Sequence, residues 1–453
     1  MPQQANAIAN FVLLLWLPVV VYVFSRFPAQ RALVISFLGA WLFLPMASIK
    51  FPGIPDYNKM SAASYGILLS TIIFDVGRFS TFRFSWIDIP MAVWCICPFF
   101  SSMANGLGPY DGLSATLSQV VTWGIPYFLG RIYLNNLAGL RNLAIAIFIG
   151  GLLYIPFCLY EGRMMFSFHE AFYGFHPGGF LMSIRLGGYR PTVFMNHGLM
   201  VGVWMMSASL MGVVLWRTGI IKKVWNFPIS WWVGLLLVTF VLVRSTGAYM
   251  LFAAAVVIFL IARYFQNTLL VWLLIGGMCI YLNLGATGAF PRTEITGAVA
   301  QVFPPERVQS LDFRFENEEI LSAKARQNPI FGWGGFGRNR VFDEYGEDTT
   351  VTDSLWIIAF GLNGYVGLIS IFMALLVPVV AFCRRYPAKL WAHPAVAPAA
   401  ALAVSLLMYA LDCILNAMVN PVFALTCGGL AGAVVASSTE TAPRRRRIAS
   451  KVT

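Results

Sequence analysis

Five side chains in this sequence have the types and settings that chemistry on a phosphate-bearing substrate needs. Arg190 stands in Gly187-Gly188-Tyr189-Arg190-Pro191-Thr192, just before an apolar run that opens at His197-Gly198. Arg244 stands in Val243-Arg244-Ser245-Thr246-Gly247, between two apolar runs with almost no loop. A guanidinium this close to hydrocarbon is costly unless something pairs with it, so a boundary arginine is a site hypothesis by default. Arg314, in a long polar stretch, is the third. The planar fork of arginine binds two oxygens at once, which suits phosphate or pyrophosphate. Asp353, in Thr349-Thr350-Val351-Thr352-Asp353-Ser354 ahead of a long apolar run, and His197 are the groups able to orient or deprotonate a hydroxyl. This spacing makes Thr352 an N-cap and puts Asp353 in the first helical turn, where the macrodipole stabilises a carboxylate. Such a structural role accounts for Asp353 as readily as catalysis does.

The elements that position these residues are membrane helices. Of the 453 residues 58% are hydrophobic and only 11% charged, less than half the usual charged share of about a quarter. That balance excludes disorder, a coiled coil and an ordinary cytosolic enzyme. A span takes roughly 20 apolar residues. About thirteen runs qualify, near 8–24, 32–49, 61–77, 87–104, 113–130, 141–159, 198–216, 227–243, 246–262, 268–285, 354–382, 396–415 and 418–437. The first lacks a basic n-region and an A-x-A-like site, so it reads as a helix rather than a signal peptide. The expected fold is all-α and polytopic, with about 12–13 transmembrane helices and two long outer loops. It divides into N-terminal helices (1–160), a first outer loop (161–197), central helices (198–285), a large outer loop (286–353), C-terminal helices (354–437) and a basic tail (438–453).

Lys and Arg mark the cytoplasmic side. Alternate short loops carry Arg26 and Arg31, Arg78 and Arg83, Arg131 and Arg141, Arg217 with Lys222 and Lys223, Arg263, and Arg384, Arg385 and Lys389. The tail Arg444 to Arg447 joins them, which puts the C-terminus inside, the N-terminus outside and both long loops outside. Eighteen of the 31 basic residues fall on the inner face, so anionic lipid explains the net charge and nucleic acid is not needed.

The first loop is rich in Phe, Tyr, Met and Gly and reads as a segment lying at the interface. It holds His169, His176 and His197, but His169 and His176 are seven apart with no cysteine nearby. That is not ligand spacing, so no metal is expected and the histidines read as interfacial or substrate-contacting. The seven cysteines form no disulfide or ligand pattern; Cys95 and Cys97 read as plain lipid-facing or core residues. In the large loop, Asp312 to Gln327 reads as a helix of mixed charge, stopped at Asn328-Pro329-Ile330-Phe331-Gly332-Trp333-Gly334. The run Gly332-x-Gly334-Gly335-x-Gly337 lacks the flanking strand and βαβ unit of a dinucleotide fingerprint. It reads as a tight turn holding the loop against the membrane. Asp75 can be satisfied by Arg78 one turn away. Asp412 reads as a bundle-interior hydrogen-bonding group before a proton relay. No broken-helix pair or inverted repeat is evident, which weighs against a secondary transporter.

In their order, these features resemble the O-antigen ligase and O-antigen (exopolysaccharide) polymerase superfamily of bacterial envelope enzymes. The likeness covers about residues 180–380. It rests on Arg190-Pro191 before a span, the Arg244-Ser245-x-Gly247 link, and the charged loop helix ending in Asn328-Pro329-Ile330-Phe331-Gly332-Trp333-Gly334. Asp353-Ser354 opening a helix that ends in Gly364-x-x-Gly367 completes it. The resemblance implies glycosyl transfer at the outer, periplasmic face of the bacterial inner membrane. A glycan on undecaprenyl pyrophosphate passes to an acceptor hydroxyl with inversion and without a cofactor, nucleotide sugar or metal. It also implies that Arg190, Arg244 and Arg314 bind the pyrophosphate and that Asp353 or His197 serves the acceptor. The ligase branch has a histidine where Asp353 stands here, which moves weight from ligase to polymerase. Expected partners are the lipid-linked donor, a glycan acceptor, membrane lipids and a chain-length regulator. The rival readings are an O-antigen ligase acting on lipid A core and a transporter or flippase.

Overall fold

The computed structural model describes residues 5–51, 55–185, 187–301 and 304–449. Its helices are α1 (Ala7–Arg26), α2 (Ala29–Phe43), α3 (Lys59–Phe74), α4 (Ile89–Ala104), α5 (Pro109–Gln119), α6 (Ile125–Tyr133), α7 (Leu137–Met164) and α8 (Phe168–Tyr173). There follow α9 (Gly198–Arg217), α10 (Ile229–Leu242), α11 (Thr246–Phe265), α12 (Leu269–Thr287), α13 (Arg292–Ala300), α14 (Pro305–Ala325), α15 (Leu355–Arg385), α16 (Ala397–Leu415) and α17 (Pro421–Ala449). Among the described residues, β-pairing is limited to the isolated bridge Phe342–Asp348 and three two-residue hairpins: β1 (Ser48–Ile49) with β2 (Tyr57–Asn58), β3 (Ile184–Arg185) with β4 (Gly188–Tyr189), and β5 (Lys223–Val224) with β6 (Phe227–Pro228). Among the described residues, eight helices are long and apolar enough to cross a membrane and four more are shorter apolar helices. The chain is an all-α polytopic membrane protein.

Each of the thirteen apolar runs falls on helix, with corrections at the ends. The run expected at 32–49 stops at Phe43, because Pro45 excludes Leu44 from helical backbone and Leu44 is extended at ψ 149°. The run at 61–77 starts at Lys59, where Asn58 and Ser61 form a capping box, and ends at Phe74. The run at 113–130 is two α-helices joined by a π-helical turn, Val120–Gly124. Two loop boundaries move as well. The first loop does not begin at 161, since α7 runs on to Met164 and closes on a left-handed Met165. The large loop begins after Thr287 rather than at 286, and its charged helix is Pro305–Ala325 rather than 312–327. Pro305 sits comfortably in a first turn, where its missing N–H costs nothing.

Nearly all of α9 and α16 is buried, so these helices form the centre, while α1 and α11 lie at the periphery with large apolar side chains exposed to lipid. Helices α6 and α17 approach closely: Gly130, Gly428 and Gly432 lie against facing backbone, and a Cβ on Gly130 or Gly428 would overlap a main-chain carbonyl. This is small-residue packing of membrane helices, where dispersion replaces the hydrophobic drive. At the end opposite the long loops, Asp88 is buried against Arg131, with contacts of 2.7 and 3.0 Å, and also accepts from Tyr127 at 2.7 Å. The Asp75–Arg78 pair forms as expected, at 3.2 Å.

One helix is broken, within the apolar run expected at 354–382. In α15, Gly364 has φ +62° and ψ −159°, a conformation open essentially to glycine alone. The backbone groups this frees are taken up by the Pro329–Gly334 turn. Trp333 and Gly334 donate N–H to the Gly361 and Leu362 carbonyls (2.9 and 3.0 Å), and Tyr365 and Val366 donate to Pro329 and Ile330 (2.7 and 3.3 Å). From α4, Asn105 Nδ2 donates to the Gly332 carbonyl at 2.8 Å. Non-helical backbone at this depth is tolerated only when protein satisfies it. The glycine-rich run is therefore a plug in a split helix.

Candidate functional site

The first loop is tied down from below by groups the sequence gives little sign of. Glu161, fully buried in the last turn of α7, accepts three backbone N–H groups: Phe168 at 2.7 Å, Thr192 at 2.9 Å and Val193 at 2.8 Å. A carboxylate holding three N–H groups is a strong, well-satisfied anchor. Lys59 Nζ donates to the Phe194 carbonyl at 3.0 Å and lies over the Trp41 ring. His169 is fully buried between Met46 N–H (2.9 Å to Nε2) and the Phe175 carbonyl (2.8 Å from Nδ1). Both ring nitrogens are thereby committed to a neutral tautomer that donates from Nδ1. Burial pushes its pKa down to about 4. His176 bonds the Tyr189 hydroxyl at 3.0 Å. These two histidines hold the loop together rather than lie at an interface.

This anchoring fixes Arg190. Its backbone N–H bonds the Ser183 carbonyl at 2.7 Å, its stem lies across Gly198 where a Cβ would overlap it, and Nε donates to the Arg244 carbonyl at 3.2 Å. Burial, and then the charge of Arg185, hold its pKa below the usual arginine range. Arg244 forms the tight link between α10 and α11 with φ +58°, the left-handed region that disfavours a side chain. Its guanidinium crosses the β3–β4 hairpin over Gly188, where a Cβ would overlap it, and Nη1 donates to the Arg185 carbonyl at 3.4 Å. The same hairpin brings in Arg185, whose exposed side chain acts electrostatically on both Arg190 and His197.

His197 caps α9, its Nδ1 accepting the Leu199 N–H at 3.1 Å. In the neutral ring the proton then sits on Nε2, which is a donor; acting as a base requires the cap to be given up. Burial and the charges of Arg190 and Arg185 lower its pKa, and Asp353 works against them. Asp353 is thus within electrostatic reach of His197. It is exposed and stands one residue outside α15, whose N-cap is Ser354. The expectation that Thr352 caps and Asp353 occupies the first turn is corrected: the extended backbone of Ser354 moves the helix start two residues on. The first turn of α15 holds no acidic residue.

Arg314 projects from α14 and lines one cleft with Asp353, Asn317, Glu318, Ile357 and Leu415. The cleft is built by α14 lying along the start of α15. Asn317 Oδ1 accepts the Val351 N–H at 3.0 Å, and Glu318 accepts from Tyr281 Oη at 2.5 Å and from Trp356 Nε1 at 3.2 Å. Burial raises the Glu318 pKa, against the pull of those donors and of Arg314. Much of the dense charge of the large loop is spent internally, as in Arg292 with Asp312 (2.8 Å) and Glu316 (3.3 Å) and Arg340 with Asp348 (2.6 Å). Among the described residues, neither Arg190 nor Arg314 has an ion-pair partner.

Arg190 and Arg244 are in direct contact, His197 joins them to Asp353, and Asp353 shares its cleft with Arg314. The side chains missed by the sequence reading are Arg185, Glu161, Lys59 and Glu318. Gly187-Gly188 was a hairpin signal able to place Arg185 beside Arg190, and a carboxylate at the end of an apolar run was a signal for Glu161. Among the described residues, no three His, Cys, Asp or Glu side chains gather as a metal would require. Asp412 Oδ1 accepts from Asn416 at 2.9 Å, and its Oδ2 is buried without a hydrogen bond. No family model matches the chain, and no curated protein matches it.

Proposed function

We propose that this protein is a polysaccharide polymerase that joins repeat units from undecaprenyl pyrophosphate-linked donors at the outer face of the bacterial inner membrane. The observation that carries this reading is the contact of Arg190 in the first loop with Arg244 in the α10–α11 link, with His197 and Asp353 leading from that pair to the cleft that Arg314 of α14 lines. Like charges gather at a cost unless an anion is to be bound, and a diphosphate on a lipid reaches this position from the bilayer side. The resemblance of the chain's motifs to the ligase and polymerase superfamily supplies the glycan.

In the reaction, the acceptor hydroxyl oxygen bonds to the anomeric carbon as the carbon–oxygen bond to the diphosphate breaks from the opposite side, giving inversion. Arg190, Arg244 and Arg314 stabilise the charge that develops on the departing lipid diphosphate. The hydroxyl proton goes to Asp353, which has no capping duty to explain its place, while the Nε2–H of His197 is set to donate to a phosphate oxygen. Cationic charge of this kind does the work that a metal ion does elsewhere. The split in α15 does not favour a transporter, since its free backbone groups are already bonded to the Pro329–Gly334 turn.

The test is incubation of the purified protein with a defined undecaprenyl-linked oligosaccharide, alone and with lipid A core. Growth of the lipid-linked glycan is the expected result. Transfer only to lipid A core would make the protein a ligase. Release of no lipid diphosphate in either case, with solute movement in reconstituted vesicles, would replace the proposal with a transporter.

A further inference from the structure

At the end of the bundle away from the long loops, α9, α11 and α16 diverge and the segment linking α15 to α16 closes the gap between them. They line a groove of about 310 Å³, at the lower end of the usual range for ligand cavities of about 300–1,000 Å³. Its wall is apolar, with Leu210, Val214, Val256 and Phe259 along it, and its mouth carries two arginines, Arg217 from the last turn of α9 and Arg263 from the last turns of α11. Both guanidinium groups are exposed, and neither is in an ion pair among the described residues. Trp391 lines the same mouth, packed on Phe259 with ring centroids 5.8 Å apart and its indole N–H bonded to the Tyr386 carbonyl at 2.8 Å.

We infer that this groove seats one anionic diacyl phospholipid, an acyl chain running along α9 and α11 and the headgroup phosphate held between Arg217 and Arg263. The two halves of the site match the two halves of that ligand. A zwitterionic lipid fits the wall but leaves the arginine pair uncompensated, whereas an anionic headgroup neutralises it. A soluble anion satisfies the arginines but leaves the groove unfilled. The site lies away from the arginine cluster of the loop end and does not depend on the reaction proposed there.

The experiment uses full-length protein in detergent, titrated with phosphatidylglycerol or phosphatidylcholine and read by native mass spectrometry. Wild type is expected to retain one phosphatidylglycerol in preference to phosphatidylcholine. Each of Arg217→Gln and Arg263→Gln should weaken that retention about 5-fold, the worth of one basic residue beside an anionic surface. Both residues are exposed, so the variants keep the fold. Val256→Trp, which fills the groove and leaves the arginines, should abolish retention of the lipid. The inference is overturned if the two lipids are retained equally, or if Arg26→Gln/Arg31→Gln on the same end weakens retention as much. It is also overturned if a second copy of the chain, rather than lipid, is the species that adds mass.

Discussion

Arg244 offers a substitution that separates a residue kept for function from one kept for the fold. Its backbone sits at φ +58°, where an L-residue other than glycine is disfavoured by roughly 1–2 kcal/mol. Glycine removes that penalty and forfeits the contacts of the guanidinium with the β3–β4 hairpin, among them the 3.4 Å bond from Nη1 to the Arg185 carbonyl, exposed contacts of this kind contributing about 0.5 kcal/mol or less each. The added freedom of glycine in the unfolded chain costs a further 0.5–1 kcal/mol or so. The terms nearly cancel, so Arg244→Gly should melt within about 1 kcal/mol of wild type. The main-chain carbonyl that accepts from Arg190 is untouched by the substitution. A charge-assisted bond to phosphate contributes about 1.5–3 kcal/mol, so the same variant should release lipid diphosphate roughly 10- to 100-fold more slowly. Arg244→Lys, which keeps the charge but not the fork, should fall between. The assay is turnover of an undecaprenyl-linked oligosaccharide by purified protein, with melting measured in the same detergent. Wild-type turnover by Arg244→Gly would refute the phosphate role, and a melting loss well beyond 1 kcal/mol would show that the side chain serves the fold instead.

Three further outcomes follow from individual contacts. Gly188→Ala sets a Cβ where the Arg244 guanidinium lies; because that group is the end of a flexible side chain it should swing away, leaving melting unchanged and turnover reduced as in Arg244→Gly, and full turnover would contradict this. Gly364→Ala adds a Cβ that overlaps the Ile330 carbonyl at a glycine-only conformation. It should destabilise by about 3 kcal/mol or more, and melting like wild type would count against the plugged-helix account. His169 has its pKa pushed down to about 4 in the fold from an ordinary 6.5, so its contribution to stability is complete above pH 6.5 and is lost as pH falls toward 4. Between pH 7.5 and pH 5 that loss is about 2 kcal/mol. His169→Gln should remove most of the difference in melting between those two pH values, and an unchanged difference would reject the assignment.

The helical, membrane-spanning character of the chain was legible because hydropathy over a span is additive and local, and each apolar run found its helix. Ends were less legible where one residue overrides the run, as Pro45 does for α2 and Met165 for α7. The split in α15 was hidden for a different reason. Gly364 stands in sequence only as part of Gly364-x-x-Gly367, and its pairing with a turn 28 to 36 residues earlier shows what it does. At the site, arginine type and boundary position were enough to single out Arg190 and Arg244, since charge near hydrocarbon is expensive wherever it occurs. The groups that place them are acids, amides and glycines acting across the fold. Position at the end of an apolar run marks Glu161, but its role shows only in the three N–H groups it collects from residues up to 32 positions away, and Ser354 displaced Thr352 as the cap through backbone geometry that composition does not encode.

The most direct measurement of the shared diphosphate grip is a double-mutant cycle on undecaprenyl pyrophosphate binding, with Arg190→Gln, Arg314→Gln and the pair. Two guanidinium groups on one anion should couple, so the double variant should depart from the sum of the single losses by more than about 0.5 kcal/mol. Strictly additive losses, or single variants that bind the lipid diphosphate as wild type does, would contradict a common site.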